Sequence, residues 1–200
     1  MVLGHGYQNY SCDSALASSA TGALAVLYDI SPFYPGHEHA VRSVEDWLAI
    51  AKVASYTKDA PLKFSDASTT ARVAGAEKAV NVAAPFYNPN KPIQLGGVPG
   101  QLKPVGVHYF DGGKVPTFDF GADLFKAKKL DSVDAPATAA AGAKGEKAVS
   151  WLYMGDVGGS KGIDYVYRVN TVGGAGHACD IEGGDSTEYT AFYYMYAKKA

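Results

Sequence analysis

Ile163-Asp164-Tyr165-Val166-Tyr167-Arg168-Val169-Asn170 alternates apolar or aromatic with polar residues at every step except Val166, the period of a strand whose successive side chains leave opposite faces. Ile163, Tyr165, Tyr167 and Val169 share one face, and Asp164, Val166, Arg168 and Asn170 the other; Gly173-Gly174 ends the run. The last segment, Glu188-Tyr189-Thr190-Ala191-Phe192-Tyr193-Tyr194-Met195-Tyr196, is apolar on both faces. That suits a central strand covered on both sides, or an edge with an exposed aromatic row. Further strand patterns lie at Gly6 to Cys12, Gly22 to Ile30, Val105 to Phe110, Thr117 to Phe120 and Val149 to Met154. The chain carries 14 Tyr and 23 Gly; tyrosine fits a pleated, half-buried surface and glycine supplies the turns between short strands. The reading is an all-β (mostly β) chain, an antiparallel β-sandwich or barrel.

One short helix interrupts this pattern. Ser43 is a good N-cap with Asp46 three residues on, and Val44, Trp47, Leu48, Ala51 and Ala54 follow at helical spacing up to Pro61. Ser68 to Ala84 is ambiguous: its alanines allow a helix, while Gly75 and the β-branched residues weaken it. Pro85 to Pro104 is rich in Pro, Gly and Asn and reads as a long surface loop. Asp134 to Gly145, Ala- and Gly-rich, reads as a mobile excursion. The expectation is one domain over residues 1–200, with residues 31–100 a helix and loop insertion within it.

The formal net charge of -2 leaves no broad basic field for nucleic acid. The lysines at 126, 128 and 129 lack interleaved aromatics and read as solvated. No segment approaches the roughly 20 apolar residues of a membrane span. Met1-Val2-Leu3 has neither the basic start nor the apolar run of a signal peptide, so a secreted protein would be seen here in its mature form. Cys12 and Cys179 are too far apart in sequence for a CxxC metal or redox motif, which leaves a disulfide or two buried thiols. A bridge would close a loop whose entropy is worth about 5 kcal/mol. Asn9-Tyr10-Ser11 beside Cys12 is an N-glycosylation sequon, and the two together favour an oxidising, extracellular setting.

Four stretches carry a family resemblance: Gly6-Tyr7-Gln8-Asn9-Tyr10-Ser11-Cys12, Gly106-Val107-His108-Tyr109-Phe110, Ala148-Val149-Ser150-Trp151-Leu152, and Tyr167-Arg168-Val169-Asn170-Thr171 running on to Cys179-Asp180. In this order they resemble an uncharacterised secreted family of fungi and soil bacteria with QNYxC, HYF, xxWL and YRVNTxGG signatures. The resemblance implies an extracellular, all-β protein without an established activity. Fungal members of that family are often labelled malate dehydrogenase. A dinucleotide site needs a glycine-rich turn from strand to helix with an acidic residue about 20 positions later. Neither Gly155 to Gly162 nor Gly173 to Gly176 offers that.

Candidate chemistry is sparse. His37-Glu38-His39 has the H-x-H spacing that puts two imidazoles on one strand face, and His108 would supply a third ligand for one transition metal ion. Pro35-Gly36 argues instead for exposed loop histidines. His177 reads as a neighbour of the cysteine pair. No G-x-S-x-G nucleophile turn occurs, and Asp119, Asp123 and Glu188 cannot be paired from sequence. Arg168, alternating with Val166, is expected to be partly buried and therefore partnered, by Asp164, Asp119 or Glu188, or to grip an anionic ligand. Tyr7, Tyr109, Trp151 and Tyr194 are candidates for stacking on sugar rings. The expected function is a secreted, non-catalytic protein of the cell wall or surface that binds glycan or is surface-active, with no cofactor. The alternative is an extracellular metal enzyme using His37, His39 and His108.

Overall fold

The computed structural model describes residues 1–37, 39–62, 86 and 89–198, so the ambiguous Ser68 to Ala84 stretch lies outside the described residues. In chain order the elements are β1 (Val2–Cys12), β2 (Ser18–Asp29), a 3₁₀ turn (Ser31–Phe33), α1 (Val44–Thr57), β3 (Ile93–Gln94), β4 (Gln101–Phe110), β5 (Pro116–Asp119), β6 (Leu124–Val133), β7 (Trp151–Asp156), β8 (Tyr165–Gly173) and β9 (Gly183–Tyr196).

All pairings between these strands are antiparallel, in the order β2-β1-β9-β8-β7-β6-β5-β4 with β3 beyond β4. A further pairing of β2 with β4, from Ala25 opposite His108 to Asp29 opposite Lys103, joins the two ends. The sheet is therefore a closed eight-stranded barrel. Of the two expected architectures, barrel and sandwich, the barrel is the one adopted. β9 is a central strand, hydrogen-bonded to β1 and β8, and both its faces are apolar because Tyr189, Ala191 and Tyr193 line the interior while Phe192 lies under α1.

An eight-stranded barrel is narrow enough to be filled by its own side chains. Ala23, Ala25 and Leu27 of β2 face Phe118, Phe125, Met154, Val166, Tyr189 and Tyr193 across this interior. Two glycines allow neighbouring backbones to approach where the strands turn tightly. A Cβ at Gly6 would overlap the Leu24 carbonyl, and one at Gly106 the Asp119 carbonyl.

A second apolar layer covers part of the barrel's outside. Ser43 caps α1, its hydroxyl accepting from the Asp46 amide at 3.1 Å. The buried stripe of α1 is Trp47, Ile50, Ala51, Ala54 and Ser55, whereas Val44 and Leu48 are exposed. The inward face is thus rotated from the one that the spacing of Val44, Trp47, Leu48 and Ala51 predicts. Trp47 fixes the phase: its ring lies 5.1 Å from Phe192 and edge-on to Tyr34. The Thr190 hydroxyl donates to the Ala51 carbonyl at 2.7 Å. Asn170, in the left-handed region at φ 49° within a β8 bulge, donates to the Leu48 carbonyl.

Two loop expectations need correction. The Pro85 to Pro104 stretch is not simply a surface loop: it buries Leu95 and Val98, forms β3, and contains the start of β4. The Asp134 to Gly145 stretch is tied down, Ala140 accepting from the Gly173 amide and Ala141 from the Tyr56 hydroxyl. β6 is a strand that the sequence reading does not anticipate, because only Phe125 and Ala127 within it are buried.

Cys12 and Cys179 form a disulfide with Cα atoms 5.8 Å apart and 167 residues of sequence separation. It pins the end of β1 to the segment entering β9. Replacing both cysteines by serine should lower unfolding stability by about 2–5 kcal/mol, read from urea unfolding of wild type and variant; coincident curves would show that the bridge is energetically idle.

Candidate functional site

The expected site residues separate into three environments. His108 and Arg168 point into the barrel and are 4% and 9% exposed. The His108 ring stacks on Phe118 at 4.1 Å, and its Nδ1 lies 2.9 Å from the Thr117 carbonyl oxygen. A carbonyl only accepts, so Nδ1 carries the proton. Burial pushes the His108 pKa down from 6.5 to about 4, against the Thr117 carbonyl, which favours the charged form; Arg168 adds a smaller repulsion. Arg168 donates from Nε and Nη2 to the Ser150 carbonyl, at 3.2 and 2.9 Å, and its side chain also meets the Tyr193 phenol. None of the expected partners serves it. Asp164 meets Lys198, Asp119 accepts from the Gly121 amide, and Glu188 lies 2.8 Å from His5. Tyr189 and Tyr193 share a hydrogen bond of 3.0 Å, and burial raises both phenol pKa values, so both stay neutral.

The proposed metal ligands are not brought together. His37 sits in the turn after the 3₁₀ segment with its ring edge-on to Tyr34, outside the barrel. His39 borders a cleft with Asp29, Phe33 and Lys103, Glu38 lies outside the described residues, and His108 is inside the barrel. Among the described residues no group of three or more His, Cys, Asp or Glu side chains is placed to hold a metal ion. Tyr7 and Tyr109 join a small outer cluster with Leu24, Ala60 and Leu62. There the buried His5 pairs with Glu188, a long-range contact that no local pattern announces. His177 does more than flank the disulfide: its Nδ1 is 2.9 Å from Asp185 and its Nε2 3.7 Å from Glu146.

The third environment is an aromatic surface on the outside of β7, β8 and β9, beyond the part that α1 covers. Asp131, Tyr153, Tyr167 and Tyr194 lie opposite one another in register across β6, β7, β8 and β9, and Tyr165 opposite Tyr196 starts the next rung. Tyr153 stacks on Tyr167 at 4.7 Å and 13° and on Tyr165 at 5.8 Å and 26°, while Tyr196 meets Tyr167 edge-on at 5.8 Å. Tyr167 and Tyr196 are 41% and 50% exposed. Beside this row runs a groove of about 170 Å³ lined by Asp131, Ser132, Val133, Trp151, Leu152, Tyr153, Tyr167 and Val169. Trp151 is the one residue singled out from sequence that lines it. Tyr153 and Asp131 go unnoticed there, although the shared face of Tyr165 and Tyr167 is visible in the alternation.

These features define a disulfide-tied, closed β-barrel with an aromatic outer face. The chain belongs to the family described as protein of unknown function (DUF3455), which matches residues 1–197. No curated protein matches the chain. No solved structure matches it either. No described helix is long and apolar enough to cross a membrane, and the disulfide fits an oxidising compartment.

The depressed pKa of His108 makes stability depend on pH. Between pH 6.5 and 4 the unfolded chain binds a proton at this histidine that the folded chain does not, so the contribution is complete above pH 6.5 and declines as the pH falls towards 4. The loss should reach about 3 kcal/mol. Urea midpoints measured across this range should fall more steeply for wild type than for His108→Asn, which keeps a donor for Thr117 but does not titrate. Parallel slopes would contradict the assignment.

Proposed function

We propose that this is a secreted, non-catalytic protein that binds a cell-wall or surface glycan through the outer aromatic face of β7, β8 and β9. The observation that carries the reading is the continuous row of Tyr153, Tyr165, Tyr167 and Tyr196 alongside the Trp151 groove. Exposed aromatic groups gathered on one sheet face are unusual unless something covers them. A pyranose ring offers an apolar C–H face to an aromatic ring, while its hydroxyls need polar partners nearby. Trp151, Tyr153 and Tyr167 supply the first, and Asp131, Ser132 and the phenol hydroxyls the second.

Secretion is supported by the disulfide and by the Asn9 sequon. Asn9 is half-buried on β1, its Oδ1 accepting from the Ser186 hydroxyl, so a glycan on it would be added before the strand pairs. The non-catalytic reading is supported by the interior. His108 is a weak base held by a backbone carbonyl, Arg168 is committed to Ser150, and the two buried phenols bond each other. The scattered His37, His39 and His108 give no geometric support to the metal-enzyme alternative.

Co-sedimentation with insoluble polysaccharides tests the reading. Wild type should bind at least one, and Tyr153→Ala and Tyr167→Ala should each weaken binding about 5- to 30-fold, the loss typical of an aromatic anchor, in variants whose circular dichroism shows the barrel still folded at the assay temperature. Binding that both variants retain in full, or no binding to any cell-wall polysaccharide, overturns it. In the latter case, surface tension that falls below that of a globular control would point to surface activity instead.

A further inference from the structure

The glycan groove carries a charge signature that narrows its ligand, and this step rests on the glycan reading above. Of its eight lining residues one is charged, Asp131, and none is a lysine or arginine. Asp131 is exposed and stands opposite Tyr153 in register, and Tyr153 in turn stands opposite Tyr167. A carboxylate therefore sits at the end of a rung of aromatic rings, where directly paired side chains have Cβ atoms about 5 Å apart.

The surrounding cations do not neutralise it. Lys129 pairs with Met154, whose side chain belongs to the barrel interior, so Lys129 leaves β6 on the opposite face. Lys128 shares the outer face but lies further along the strand, opposite Gly155, where it acts on Asp156. Lys126 bonds Asp111 at 2.9 Å.

The same aromatic row already shows what a carboxylate and a tyrosine ring do together. At its other end, Lys198 places its ammonium 5.7 Å over the Tyr165 ring and 3.9 Å from the Asp164 carboxylate. An ammonium is drawn to a ring face by the ring quadrupole and to the carboxylate by charge. The Asp131 groove offers the same two attractions with no cation of this chain among its lining residues.

We propose that the groove formed by Asp131, Trp151, Tyr153 and Tyr167 recognises a hexosamine bearing a free ammonium group, so that the preferred glycan is a deacetylated amino-sugar polymer. The sugar ring lies on the aromatic side chains and its ammonium points at Asp131. An N-acetyl group in that position would carry no charge for the carboxylate, and a neutral glucan would offer only a hydroxyl.

The test is calorimetric titration of the full chain, at mildly acid pH where the amine is protonated, with three oligosaccharides of equal length: glucosamine, N-acetylglucosamine and β-linked glucose hexamers. The glucosamine hexamer should bind about tenfold more tightly than the other two, and added salt should reduce that advantage. Asp131→Asn, a change at an exposed position, should abolish the advantage, so that the glucosamine and N-acetylglucosamine hexamers then bind with equal affinity. Equal affinity for the free and acetylated oligomers overturns the ammonium inference and leaves the glycan reading standing. A preference for the free amine that survives Asp131→Asn overturns the assignment of the site. Failure of all three oligomers and of the insoluble polysaccharides to bind removes both.

Discussion

Everything in this molecule depends on the hydrogen bonds between β2 and β4. Without them β1 to β9 would make an open, curled sheet with two free edges. With them the sheet has an inside and an outside, and every side chain must serve one or the other. The five residues from Ala25 to Asp29 that meet His108 to Lys103 make that closure. The interior must then hold rings without a void. Small residues on one wall, Gly4, Gly6, Ala23 and Ala25, leave space for large ones opposite, so that Gly4 meets Tyr193 and Ala25 shares a core with Phe118 and Tyr189. Arg168 is tolerated in this interior because a backbone carbonyl and a neutral phenol receive it; a backbone oxygen disperses the guanidinium charge without the desolvation of a second ion.

Closure also divides the outside into unequal regions. α1 covers the outer faces of β8, β9 and β1, where Phe192, Thr190 and Leu3 receive Trp47, Ala51 and their neighbours. The covering stops at Tyr194, whose hydroxyl meets the Trp47 indole at 3.4 Å. One strand can thus present Phe192 to a helix and Tyr196 to solvent from the same face. The boundary between the packed layer and the aromatic surface falls along β9, and it decides which aromatic residues are free to meet a partner.

Much of the architecture is legible in the chain, because it rests on local periodicity and a few strong signals. The alternation over Ile163 to Asn170 identifies β8, and the two-faced run from Glu188 identifies a central strand. Ser43 marks the start of α1. Cys12 and Cys179 bring the first and last strands together. β6 escapes because Lys126, Lys128, Lys129, Asp131 and Ser132 give it a polar run; its only buried residues are Phe125 and Ala127, and a bulge at Leu130 breaks the alternation. The phase of α1 is set by the aromatic cluster around Trp47, so Val44 and Leu48 point outward despite their apolar character. The site is less legible than the fold. Trp151 is recognisable, yet the rung that joins Asp131 to Tyr153 and Tyr167 exists only once three strands are in register. His5 and Glu188, 183 residues apart, meet for the same reason.

Tyrosine on the outer face meets the demands of folding and, on the proposed reading, those of recognition as well. β7 and β8 are held beside each other by cross-strand pairs, and stacking of Tyr153 on Tyr167 adds to what their backbone bonds supply. Phenylalanine would stack equally well but leave an edge that water cannot bond. The phenol keeps the solvent edge hydrated while the ring body supports its neighbour. A row built this way is ordered before any ligand arrives, so little side-chain freedom remains to be lost on contact. In the interior, by contrast, His108, Arg168, Tyr189 and Tyr193 are already engaged with protein partners. On the proposed reading a ligand would meet this barrel from outside, where the stacked tyrosines of β7 and β8 both support the sheet and hold their rings in place ahead of contact.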